Sequence, residues 1–199
     1  MPQIFSKISS EDFQILVWKI EEPLAFFETF PASWSIPAIE NPTKKLESIA
    51  ARYCLQQLST EFDPLILVQN DRNRPFFQDA DWHISLTHSY PFVAAACSRR
   101  NRIGIDLEKP GRNIEKIAPR FLNPAELAKW KDASNLLTLA WSAKESIYKA
   151  VGKSGLSFQK EIEIADFDQN PSQAQLASGE KINLFWEEYP DFSLTVALF

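Results

Sequence analysis

Two short stretches of this chain hold residues able to do chemistry together. Residues 103–108 read I-G-I-D-L-E and residues 141–149 read W-S-A-K-E-S-I-Y-K. The first alternates with period two. Ile103, Ile105 and Leu107 share one face of a predicted strand, while Asp106 and Glu108 share the other, roughly 7 Å apart. The second suits a helix. Trp141, Glu145 and Lys149 recur every four residues and fall on one face, with Lys144 on its flank. If the two faces meet, three carboxylates and two ammonium groups surround one small volume. Acids that close repel one another, and a bound cation would relieve the repulsion. All-oxygen ligands favour a hard ion, Mg²⁺ before Mn²⁺. Such an ion beside lysines points to phosphate chemistry.

The rest of the chain must position these groups. At 199 residues it fits one large domain or two small ones, long enough to bury a core without staples. Its 45% hydrophobic and 24% charged residues are globular values. Cys54 and Cys97 both sit among apolar residues and are expected to be buried, reduced thiols. No cysteine pair has zinc-ligand spacing. The N-terminus lacks a basic region followed by a long apolar core, and the longest apolar runs, such as 92–97, are strand-sized. The expectation is a cytoplasmic protein with no membrane segment.

The net charge of −5 is unevenly spread. Residues 1–43 hold 2 basic and 6 acidic side chains, residues 44–153 hold 17 and 12, and residues 154–199 hold 2 and 8. The basic surface therefore lies in the middle, with both motifs. That suits a polyanionic small molecule better than a long nucleic acid, which would call for a basic domain.

Periodicity and turn signals predict a mixed order of elements. Residues 13–20 read as a strand and 23–30 as a short helix. Thr43 is the expected cap of a helix to about Leu58, since Leu46, Ile49, Ala50, Tyr53, Cys54 and Leu58 recur at helical spacing. Strands are expected at 65–68, 75–77 and 83–87. Residues 92–98 and 102–108 read as a hairpin around the basic turn 99–101. Asn123-Pro124 starts a helix with proline at its first position. A longer helix runs from about Asn135 to Val151 and stops at Gly152. Strands follow near 162–167, 181–187 and 192–199.

The pairing of I-G-I-D-x-E with W-S-x-K-E-S-x-x-K, with Asp106 and Glu145 39 residues apart, resembles the 4′-phosphopantetheinyl transferases of the long, Sfp-type. The likeness extends more weakly from about Lys44 to Phe158. It implies an α+β fold of two similar subdomains in pseudo-twofold arrangement, residues 1–100 and 101–199, with coenzyme A at their junction. It implies transfer of the 4′-phosphopantetheine arm of coenzyme A to a serine of an apo acyl or peptidyl carrier protein.

The same likeness implies roles for residues. Asp106, Glu108 and Glu145 would hold the metal, and Glu145 would take the serine proton, with Glu108 acting through a water as the competing assignment. Lys149 and His88 would offset phosphoryl charge. Lys44, Lys45, Arg52, Arg72, Arg74, Thr87, His88, Lys144 and Lys149 would contact the coenzyme. Asn73-Arg74-Pro75 stands where relatives usually read G-K-P, and Thr87-His88-Ser89 where they read S-H-S. Arg52 could instead pair with Glu47 or Glu61. Glu126 sits where relatives often carry a glutamate near the site, Trp141 is expected to pack the helix, and His83 has no assigned role. Arg112, Lys116 and Arg120, four residues apart, would share a helical face that docks an acidic carrier protein. A monomer is expected. Two rival classes remain open: a Mg-dependent coenzyme A pyrophosphatase, which would spend water instead of serine, and a non-catalytic coenzyme A-binding module.

Overall fold

In this computed structural model the described residues are 4–70, 73–111 and 113–199. Arg72 and Arg112 lie outside them. The chain divides into two compact units, Met1–Ile103 and Gly104–Phe199, each mixing helix with antiparallel sheet. The class is α+β.

The first unit runs β1 (Ile4–Ser9), β2 (Gln14–Lys19), α1 (Leu24–Phe27), α2 (Pro42–Gln56), β3 (Leu67–Gln69), β4 (Pro75–Phe77), β5 (His83–Ser89) and β6 (Phe92–Ser98). Its main sheet has the order β1-β2-β6-β5, and β3 pairs with β4 apart from it. Register places Leu16 opposite Ala95 and Ala95 opposite Leu86, one apolar row under α2. Ile49, Ala50, Cys54 and Leu55 supply the helix side of that core. The cap of α2 is Asn41, whose side chain accepts the Lys44 N–H, not Thr43. Proline at position 42 occupies the first helical turn, so the cap must precede it.

The second unit continues with β7 (Ile103–Glu108), α3 (Ala118–Phe121), α4 (Pro124–Trp130), α5 (Ser134–Val151), α6 (Phe158–Glu161), β8 (Ile162–Ile164), β9 (Ser172–Leu176), β10 (Lys181–Glu188) and β11 (Ser193–Leu198). Its sheet has the order β7-β11-β10-β9-β8. Leu137, Ala140, Ala143, Ile147 and Ala150 of α5 share one core with Ile164, Ala174, Ile182, Leu184 and Ala197 of that sheet. Gly152 ends α5 with φ +68°, the left-handed region that glycine enters without a Cβ penalty.

The expected hairpin of β6 with β7 does not form. β6 already has β2 on one edge and β5 on the other, so neither edge is left for β7, which pairs with β11 instead. Ser98 shapes the turn after β6: its hydroxyl accepts the N–H groups of Arg100 and Asn101. Both cysteines are buried and neither is in a disulfide. Among the described residues no helix is long and apolar enough to cross a membrane.

Candidate functional site

The second unit brings the two motifs together. Lys149 on α5 donates from Nζ to Asp106 Oδ1 at 2.7 Å and to the Ile105 carbonyl at 2.9 Å. Two turns earlier on the same helix face, the Trp141 indole donates to Glu108 Oε1 at 2.9 Å. Glu145 holds the helix position between them. Asp106 and Glu108 are each only 7% exposed, so both carboxylates are met by donors in a largely dry setting. Trp141 is fixed in turn by an edge contact with Phe121, and Phe158 also lies against it.

The approach of β7 to α5 depends on Gly104. A β-carbon there would collide with the Ser146 carbonyl oxygen and stand 2.5 Å from the Ala150 amide nitrogen. The strand can meet the helix only without a side chain at this position.

The donor set on β7 is all carboxylate oxygen, the chemistry of a hard divalent cation, and one of its members already faces an ammonium. Asp106 and Glu108 therefore suit Mg²⁺. Among the described residues no group of three or more acids, histidines or cysteines that could hold a metal is gathered.

Lys144 departs from its expected role as a coenzyme contact. It is 0% exposed, and its three donors go to Glu126 Oε2 at 2.6 Å, the Phe158 carbonyl at 2.9 Å and the Ile162 carbonyl at 2.9 Å. Burial pulls its pKa below the usual lysine range, while Glu126 pulls the other way. No ammonium proton is left for a coenzyme phosphate. Glu126 is likewise spent. It closes a capping box with Asn123, accepts the Ile164 N–H at 2.9 Å and is 4% exposed. A signal for this lies in the sequence: Lys144 follows Leu137 and Ala140 and precedes Ile147 on the apolar stripe of α5.

The first unit contains a separate cavity of about 560 Å³, lined in part by Lys44, Ser48, Arg52, Asn73 and His88. Arg52 is 3% exposed. It pairs with neither Glu47 nor Glu61. Its guanidinium donates to the Ser35 carbonyl and to the carbonyl and hydroxyl of Ser48, at 2.7 to 3.0 Å. Desolvation lowers its pKa to about 10, so it stays cationic at neutral pH. A buried cation whose hydrogen bonds go to neutral groups suits an anionic ligand.

Glu47 stands behind this wall and holds two of its residues, Lys44 and His88. It is 1% exposed, accepts the Tyr90 N–H at 2.9 Å, and lies 2.7 Å from Lys44 Nζ and 3.4 Å from His88 Nδ1. Its i,i+3 spacing from Lys44 is the signal available in the sequence.

Other expected contacts fall elsewhere. Register puts Thr87 opposite Ala94 and His88 opposite Val93, so the two side chains leave opposite faces of β5. His88 is on the cavity side and Thr87, 4% exposed, is not. Lys45 is exposed and stands outside the cavity lining. Arg74 is half-buried; desolvation first and then Arg102 lower its pKa. Asn73 has φ +59°, which explains how asparagine can replace the glycine of G-K-P, since it tolerates this region best after glycine. Lys116 lies in a turn and Arg120 in the four-residue α3, so these two do not share one continuous helix; Arg112, the third residue of the expected docking row, lies outside the described residues.

Sequence comparison with known proteins falls on the same part of the chain. Residues 102–197, which hold both motifs, match the sequence model of the 4′-phosphopantetheinyl transferase superfamily. The chain is 31% identical over 113 residues to 4′-phosphopantetheinyl transferase gsp of Aneurinibacillus migulanus, covering 54% of this chain and 46% of that protein. It is 31% identical over 108 residues to 4′-phosphopantetheinyl transferase HetI of a Nostoc species, covering 51% and 45%. It is 34% identical over 109 residues to enterobactin synthase component D of Salmonella typhi, covering 51% and 44%. The matched region is thus less than half the length of each of these relatives. The likeness to the 4′-phosphopantetheinyl transferase superfamily thus rests on residues 102–197, just under half of this chain.

Proposed function

We propose that this protein transfers the 4′-phosphopantetheine arm of coenzyme A to a serine of an apo acyl or peptidyl carrier protein, as the long Sfp-type enzymes do. The carrying observation is the apposition of Asp106 and Glu108 on β7 with Lys149 and Trp141 on α5. Two of the matched relatives bear the name 4′-phosphopantetheinyl transferase, which supports the reading. In the first unit, the buried Arg52 with Lys44 and His88 suits a phosphate group of the coenzyme's nucleotide.

Asp106 and Glu108, with Glu145, are the residues that would hold Mg²⁺, which when bound supplies positive charge to pyrophosphate oxygens. Glu145 accepts the proton of the attacking serine hydroxyl. The serine oxygen forms its bond to the β-phosphorus as the bond from that phosphorus to 3′,5′-ADP breaks, and the nucleotide leaves with the electron pair. Lys149 offsets charge on the phosphoryl oxygens. Trp141 keeps the Glu108 carboxylate in place, and Gly104 lets strand and helix come close enough for these contacts. The protein acts as a cytoplasmic monomer, with no nucleic-acid or membrane partner.

Intact-mass spectrometry tests this reading. An apo carrier protein incubated with this protein, coenzyme A and Mg²⁺ should gain the mass of phosphopantetheine, and Glu145→Gln should abolish the gain. Coenzyme A consumption without a gain would replace the transferase with a pyrophosphatase. Neither change across several carriers would leave a binding module.

A further inference from the structure

The buried pair Lys144–Glu126 is more elaborate than a stability contact requires. Three elements meet on one ammonium: α4 through Glu126, α6 through the Phe158 carbonyl, and β8 through the Ile162 carbonyl. The carboxylate also accepts the N–H groups of Asn123 and Ile164. Exchanging a buried ion pair for apolar groups of similar volume is often neutral or stabilising, so stability alone does not account for it. Its distinctive property is direction. An ammonium bound at three fixed acceptors resists sliding and rotation of the helix in a directional way that the packing of Leu137, Ala140, Ala143, Ile147 and Ala150 on its core face does not supply.

Lys144 lies one residue before Glu145, about 100° around the helix from it. Whatever fixes the azimuth of α5 at Lys144 also fixes where Trp141, Glu145 and Lys149 land on β7. We infer that Lys144 and Glu126 form a positioning pair that sets the register of α5 on β7, and so the Trp141–Glu108 and Lys149–Asp106 contacts. Its effect on phosphopantetheine transfer rests on the function proposed above; its effect on the helix does not.

The test is the double variant Lys144→Met/Glu126→Gln. The introduced amide keeps an acceptor for the Ile164 N–H, loses the one used by the Asn123 N–H and gains a donor for the freed carbonyls, so the variant should fold where Lys144→Met alone, leaving a buried carboxylate without its cation, unfolds more readily. The readout is the indole N–H of Trp141 in nitrogen–proton NMR spectra, assigned with Trp141→Phe. The positioning role predicts a displaced Trp141 signal and solvent exchange faster by about tenfold or more, with the other indoles little changed. An unmoved Trp141 signal with unchanged exchange in the folded double variant overturns it. Should the double variant not fold, Glu126→Asp, which shortens the tether by one methylene and keeps the charge, is judged by the same two outcomes. In a transfer assay the folded variant should lose about tenfold in kcat with little change in KM for coenzyme A. Wild-type protein inactive in that assay would refute the transferase reading and leave the indole result to judge the pair.

Discussion

Gly104 on β7 and Ser146 on α5 are in contact through backbone alone, with no room for a β-carbon between them. Gly104→Ala should therefore push strand and helix apart. Overpacking of this kind costs about 1–3 kcal/mol, and backbone on both sides leaves little room to relax. Urea unfolding should show a lowered midpoint with an unchanged slope. The Trp141 and Lys149 contacts should loosen in the same variant, and transfer activity should fall with them.

Lys149 stabilises Asp106 as well as serving the proposed chemistry. Its side chain is 30% exposed, which moderates the electrostatic gain. Lys149→Met should cost about 1–2 kcal/mol in thermal or urea unfolding and eliminate transfer. Lys149→Arg should recover part of the stability but not the activity, because a planar fork cannot replace an ammonium that reaches a carbonyl and a carboxylate together.

His83 gives the fold an acid-sensitive element. Desolvation first, then Arg102 and Arg74, lower its pKa from 6.5, while Asp81 opposes them. Between the folded pKa and 6.5 the unfolded chain binds more protons, so stability rises with pH through that window and is lost as pH falls through it. His83→Gln should flatten this part of the stability profile, measured by urea unfolding at a series of pH values. An unchanged slope would contradict the assignment.

The cysteines should be silent in the native protein. Cys54 and Cys97 are 0% and 1% exposed, and burial pushes the Cys54 thiol up, away from the reactive thiolate. A thiol reagent should modify neither residue until denaturant unfolds the chain, and both afterwards.

Local signals in the chain identify the elements that carry the motifs. Asn123-Pro124 and Gly152 mark real helix boundaries because capping is a local matter of backbone donors and permitted φ. Alternation in I-G-I-D-L-E puts Asp106 and Glu108 on one strand face, and the helical spacing of Trp141 and Lys149 puts them on the face that meets it. Partner choice is less legible. A short turn between two strands resembles a hairpin whether or not the first strand has a free edge, and β6 has none. The strand Ser172–Leu176 carries little local signal because S-Q-A-Q-L has little β propensity, although Ser172, Ala174 and Leu176 alternate inward. Lys144 resembles a surface cation because its acceptors lie 14 to 18 residues away in the chain. Only its place on an apolar stripe points inward.

The most direct test of the central claim follows both products of one reaction. Apo carrier protein, coenzyme A, Mg²⁺ and the wild-type protein are incubated together, the carrier is weighed intact, and released 3′,5′-ADP is quantified. One phosphopantetheine per carrier and an equal amount of nucleotide are expected, both lost in Glu145→Gln. Nucleotide release without a heavier carrier, or a fully active Glu145→Gln, would contradict it.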